Sequence, residues 1–118
     1  MIGNLTGDPE VRTTTSGKKV ANFSVASTER VRVNGEWTDG DTSFFRVAVW
    51  DQYGVNVAAS LVKGSRVIVL GKLTVRDYEV DGEKRVSLDV AADEVGAALR
   101  YASATLVRVA PVAAAPAA

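Results

Sequence analysis

The chain has 118 residues, 47% of them hydrophobic, with 14 Lys+Arg balanced by 14 Asp+Glu, which gives room for one domain around a modest core. It contains no His and no Cys, so disulfides, thiolate metal sites, the usual zinc ligand sets and Ser-His or Cys-His nucleophiles are unavailable. No stretch reaches the ~20 continuous apolar residues that a membrane span needs. Met1–Thr6 lacks the basic and apolar regions of a signal peptide, and a soluble intracellular protein without metal or cofactor is expected.

In chain order, Val20–Ala26 alternates with Phe23 and Val25 on one face, and the pattern runs on through Glu29–Val33. Asn34-Gly35 is a type I′ hairpin signal, after which Glu36-Trp37 returns. Thr42–Trp50 reads as a further strand. Tyr53–Val62 changes to helical spacing through Val57 and Leu61, with Gly64 placed as a left-handed C′ cap. A long strand follows over Arg66–Glu79, with Gly71 expected to bend or bulge it. Asp81-Gly82 closes a second hairpin and Arg85–Val95 returns. The predicted fold is all-β: an OB-type five-stranded barrel with one short helix inserted between strands. Residues 1–109 are read as the domain, and Ala110–Ala118, all Ala, Pro and Val, as a disordered tail.

Paired carboxylates such as Asp39/Asp41 or Asp93/Glu94 could in principle serve glycoside chemistry. The first pair reads as a solvated turn and the second as a strand end, so no enzyme is expected. A zero net charge counts against a nucleic-acid partner, but the charges are unevenly placed. Arg30, Arg32, Arg46, Lys72 and Arg76 recur within predicted strands, whereas Asp8, Asp39, Asp41, Asp81 and Glu83 sit in turns and edges.

Thr42–Trp50 is the most informative segment. Alternation puts Phe45, Val47 and Val49 on a core face and Phe44, Arg46, Ala48 and Trp50 on the other. The strand from Arg66 repeats the theme, with Lys72, Thr74, Arg76 and Tyr78 opposite Leu73 and Val75. Cations that follow phosphates beside flat rings that stack on bases suit single-stranded nucleic acid. The alternatives are cross-strand pairing within the sheet and burial of the aromatics in a subunit contact.

Several segments resemble the bacterial single-stranded DNA-binding protein family, most closely its actinobacterial members. They are Gly3-Asn4-Leu5-Thr6-Gly7-Asp8-Pro9-Glu10-Val11-Arg12, Ser16-Gly17, Val20–Ala26, Val57-Ala58 to Leu61, Lys63-Gly64-Ser65-Arg66-Val67 and Gly71-Lys72-Leu73. The resemblance covers residues 2 to 109 and implies sequence-independent binding and protection of single-stranded DNA in replication, recombination and repair. It further implies a homotetramer at the nucleoid in the cytoplasm, with no membrane partner. Carried over by motif, the stacking positions fall on Phe44, Trp50 and Tyr78, and the phosphate-contacting cations on Arg46, Lys63 and Arg76. A stacking aromatic of many relatives falls on Val31, with Trp37 across the hairpin as its substitute. Lys72, Arg30 and Arg32 complete the expected DNA-binding set.

The chain departs from the family at both ends. Met1-Ile2 retains only the end of an apolar first strand, and residues 110–118 lack the acidic, Phe-ending tip that recruits replication and repair proteins. Tail-dependent partners are therefore not expected for this 118-residue form. Two other readings compete: an OB-fold assembly or primosome-type protein whose aromatics form a subunit contact, and an OB domain for oligosaccharide. The second would want Asp and Glu among the aromatics, where this face carries Arg and Lys.

Overall fold

The computed structural model describes residues 1–109; the expected tail, 110–118, lies outside the described residues. The elements are β1 (Ile2–Leu5), β2 (Glu10–Thr13), β3 (Lys19–Val33), β4 (Glu36–Trp50), α1 (Asp51–Ser60), β5 (Arg66–Val80) and β6 (Glu83–Ala97). The sheet order is β1-β5-β6-β4-β3-β2, and β1 also pairs with β3. That extra pairing closes β1, β3, β4, β6 and β5 into a barrel and leaves β2 on its rim, beside β3. All pairings are antiparallel except β4 with β6. The architecture is the OB fold.

Five barrel strands were expected and five are present, but the membership differs. Glu36-Trp37 and Thr42–Trp50 belong to one strand, β4, and the fifth member is the short β1. Each β1 residue pairs on one edge or both, Asn4 with Ala26 on one side and Arg66 on the other. Met1 extends the closure, since Val69 donates to its carbonyl at 2.8 Å and the Met1 amine donates to the Val69 carbonyl at 2.9 Å. Four residues are too few to show an alternation, which is why this strand is silent in the sequence.

Asn34-Gly35 and Asp81-Gly82 both have positive φ at each residue (50° and 82°; 52° and 81°), the type I′ geometry whose twist matches the flanking strands. Two register shifts interrupt the long ribbons. Thr28 pairs with Thr42 but Arg30 with Asp39, so Gly40-Asp41 of β4 face Glu29 alone. Leu70 pairs with Glu94 but Gly71 with Ala92, so the extra residue is Asp93 on β6. Both carboxylate pairs therefore lie inside strands at bulges: Asp39/Asp41 is not a turn and Asp93/Glu94 is not a strand end.

Leu5, Phe23, Val25, Val47, Val49, Val57, Leu61, Val67, Val69 and Val90 form the core. At ~1.5–3 kcal/mol per buried apolar side chain, these residues dominate the folding energy. Helix α1 contributes Val57, with Leu61 at its C-cap, and Gly54 lies against β4, where an added Cβ would run into the Val49 carbonyl oxygen. Tyr53 ties the helix to the β6 bulge: its hydroxyl accepts from the Val95 amide at 2.7 Å and donates to Glu94 Oε2 at 3.0 Å. Burial raises the Tyr53 pKa above its ordinary 10.0, and the Glu94 carboxylate pushes the same way against the lowering effect of the Val95 backbone. Gly64 is left-handed as expected (φ 88°), but it does not cap the helix. The helix ends on Leu61, and Gly64 turns the following loop, where Ser65 donates to the Val62 carbonyl. No helix among the described residues is long and apolar enough to cross a membrane.

Candidate nucleic-acid interface

The burial of Val47 and Val49 sends Phe44, Arg46, Ala48 and Trp50 outward from β4, as alternation requires. Strand registers then place their neighbours in rows across the barrel wall. One row runs Glu10–Asn22–Ala48–Ala91–Lys72 over β2, β3, β4, β6 and β5. The next runs Ser24–Arg46–Asp89–Thr74. One step further, Ala26 pairs with Phe44 and Ser87 with Arg76; on the opposite side, Arg12, Val20 and Trp50 are paired in line.

The small side chains of the first two rows leave a trough. Two adjoining grooves of about 320 and about 310 Å³ share Asn22, Arg46 and Val47. The first extends towards Thr6, Asp8, Glu10 and Arg12, and the second towards Thr74, Arg76, Asp89 and Ala91. Phe44 (61% exposed) and Trp50 (47%) stand at the two ends of the β4 floor, six residues apart in sequence, which at ~3.3 Å per residue is roughly 20 Å.

The expected residues fall into four groups. Arg46 and Arg76 line the trough, and Phe44, Trp50 and Lys72 stand on the same face of the wall around it. Tyr78, 42% exposed and paired with Arg85, continues the same face along the β5–β6 hairpin. Arg30, Arg32 and Trp37 stand on the β3–β4 hairpin, where Arg30 meets Asp39 at 3.7 Å and the Arg32 guanidinium lies 5.9 Å from the centre of the Trp37 ring. Lys63 is not in the trough. It lies on the loop after α1, where its backbone amide donates to Asp8 Oδ1 at 2.8 Å, beside one end of the groove.

Trp37 does not share the face of Val31. Val31 pairs with Thr38, and Trp37 pairs with Arg32 on the other face of the ribbon. The β4 bulge is the reason. Without the extra residue, odd-numbered β4 positions would keep the orientation of Val47 and Val49; with it, Trp37 and Asp39 join Arg30 and Arg32 on the trough side.

Sequence reasoning passed over Arg12, Glu10, Asn22, Ser24 and Asp89, all of which line the trough. For Asp89 a signal existed, because Ser87, Asp89 and Ala91 alternate with Leu88 and Val90. For Arg12 none did, since β2 has four residues and every one is exposed. Ion pairs within the trough are sparse. Arg76 Nε lies 3.6 Å from Asp89 Oδ2 and Arg12 lies 3.8 Å from Glu10, while among the described residues Arg46 has no carboxylate within 4.0 Å. Such exposed pairs are worth ~0–1 kcal/mol, so these cations exchange partners at little cost.

Comparison with known proteins agrees with this geometry. Residues 1–98 match the model of the Single-strand binding protein family. The chain is 53% identical over 111 residues to a single-stranded DNA-binding protein of Paenarthrobacter aurescens, covering 92% of this chain and 65% of the relative. It is 53% identical over 107 residues to one of Mycolicibacterium smegmatis, covering 88% and 65%. The chain thus spans just under two thirds of the length of these relatives. A small single-stranded DNA-binding protein of Streptomyces coelicolor superposes with a TM-score of 0.73 at 35% identity, over 83% of this chain and 90% of that one. With a barrel of the same topology and a family match over nearly every described residue, the chain belongs to the single-strand binding protein family.

Proposed function

We propose that this protein binds and protects single-stranded DNA without a sequence code, with residues 1–109 as the binding domain, in replication, recombination and repair at the nucleoid. The observation that carries the reading is the face around the trough, where exposed rings on β4 and β5 alternate with Arg46, Arg76 and Lys72. Flat side chains stack on any base and cations track the backbone, so such a face takes a strand of any sequence. Duplex DNA hides its base faces and offers nothing to stack on. Relatives of this chain carry the name single-stranded DNA-binding protein.

The protein acts as a homotetramer in this reading. Support comes from a second apolar area where β1 pairs with β5: Ile2, Ile68 and Leu70 are 47%, 49% and 65% exposed, and Ile2 and Ile68 are direct partners. Oligomerisation through that area leaves Phe44 and Trp50 free, which disfavours an assembly role for the aromatic face.

Titrating intrinsic tryptophan fluorescence with poly(dT) and with duplex DNA tests the function. Quenching that saturates with poly(dT), is absent with duplex and weakens with salt is expected. An unchanged spectrum with poly(dT), or equal quenching by duplex, removes the reading.

A further inference from the structure

Resting on the proposed function, we infer that Asp89 is a base-edge acceptor in the floor of the trough, favouring bases that present an amino group over those that present carbonyls. A carboxylate in the centre of a surface built for a polyanion needs an account. Asp89 is half-buried in β6, in register with Arg46 on one side and Thr74 on the other. Its Oδ1 accepts a 2.7 Å hydrogen bond from the Ser87 hydroxyl, which fixes the orientation of the group. Its Oδ2 faces Arg76 Nε at 3.6 Å, too far for a hydrogen bond, and among the described residues it accepts none. The trough thus holds an oriented anionic acceptor with open lone pairs, lining the groove together with Arg46, Thr74 and Arg76.

Position decides what can meet it. Phe44 precedes Arg46 by two residues on β4, so its row lies roughly 7 Å from that of Asp89 along the strand, with β6 the adjacent strand about 4.8 Å away. At that separation, a base stacked on Phe44 has Asp89 within reach of its polar edge. A phosphate there would meet a like charge, so the acid also directs the backbone outward to the free terminal nitrogens of Arg76 and to Arg46. Cytosine offers its N4 amino group to a carboxylate, whereas thymine offers one N–H flanked by two carbonyl oxygens that repel it.

The test compares oligo(dC) and oligo(dT) of equal length by fluorescence anisotropy on the wild-type protein, Asp89→Asn and Asp89→Ala. Asp89→Asn keeps the shape and adds an N–H donor suited to thymine carbonyls. It should move the dT-to-dC affinity ratio about two- to tenfold towards dT, the scale of one net hydrogen bond. Asp89→Ala should move it in the same direction by less. If Asp89→Ala does not fold, Asp89→Asn decides alone. Equal gains for both oligomers with a steeper salt dependence would make Asp89 a mere competitor for the arginines and overturn the inference, as would equal losses for both. If the wild-type protein binds neither oligomer, the proposed function fails instead.

Discussion

Trp50 and Arg46 stand on the same face of β4, four residues apart, and should fail in different ways when removed. Trp50 is 47% exposed, so roughly half of its surface is free to receive a base while the rest lies against the wall near its partner Val20, itself 8% exposed. Loss of one stacked base corresponds to about 1–3 kcal/mol, or roughly 5- to 150-fold in affinity for Trp50→Ala. No phosphate contact goes with it, so the salt dependence should stay as in the wild type. Arg46 has no internal carboxylate partner among the described residues, so its charge is available to the strand. Arg46→Ala should lower the slope of log K against log salt by about 0.7, the increment for one phosphate on a single strand. The assay is anisotropy of a labelled oligonucleotide over a range of salt, because Trp50→Ala removes one of the two tryptophans. Trp50→Phe controls for uncovering Val20 and should retain most of the affinity. A reduced slope for Trp50→Ala, or a reduced affinity with an unchanged slope for Arg46→Ala, would refute the division of labour. So would normal binding by a dissociated Trp50→Ala subunit, which would place the ring in an assembly surface.

Three further outcomes follow from the fold. Gly54→Ala forces a Cβ against the Val49 carbonyl and the Ala21 backbone, an overpacking that should cost ~1–3 kcal/mol in denaturant unfolding; unaltered stability would show that α1 can lift off the barrel. The raised Tyr53 pKa means that the neutral phenol is favoured on folding, so its contribution is complete below about pH 10 and lost as pH climbs through the raised value. Tyr53→Phe should therefore be less stable at neutral pH and show a shallower alkaline decline, whereas an identical alkaline limb counts against the linkage. Ile68→Asp puts a charge into the exposed β1–β5 patch and should reduce the light-scattering mass towards one 12.5 kDa subunit; retention of the full oligomer would move the contact elsewhere.

The sequence spoke clearly where one physical rule acted alone. Alternation sorted Phe45, Val47 and Val49 from Phe44, Arg46 and Trp50 because both faces of β4 are strongly and oppositely specified. The two hairpin turns were legible because a type I′ turn demands positive φ at both residues, which Asn-Gly and Asp-Gly supply. The helix was legible from a change of period. The closing strand β1 was not, since its four residues owe their conformation to partners 20 or more and more than 60 positions away, and a long-range pairing leaves no local periodicity.

The site was harder to read because it depends on register, and register here is changed by bulges. Parity places Trp37 with Val47 and Val49 if β4 is taken as one uninterrupted strand, and the extra residue at Gly40-Asp41 reverses that assignment. Reading Asp39-Gly40-Asp41 as a turn makes the element that carries Trp37 over to the trough side a break in the sheet. The bulge is tightly packed at Gly40, where an added Cβ would come to about 3.0 Å from a Val31 methyl and 3.3 Å from the Glu29 carbonyl oxygen, closer than a side chain sits comfortably. The extra residue thus governs which face of the hairpin shows the Trp37 ring. The aromatic content of such a face cannot be counted from alternation until its bulges have been placed, and on β4 the bulge is what joins Trp37 to Phe44 and Arg46, beside Arg32 of β3.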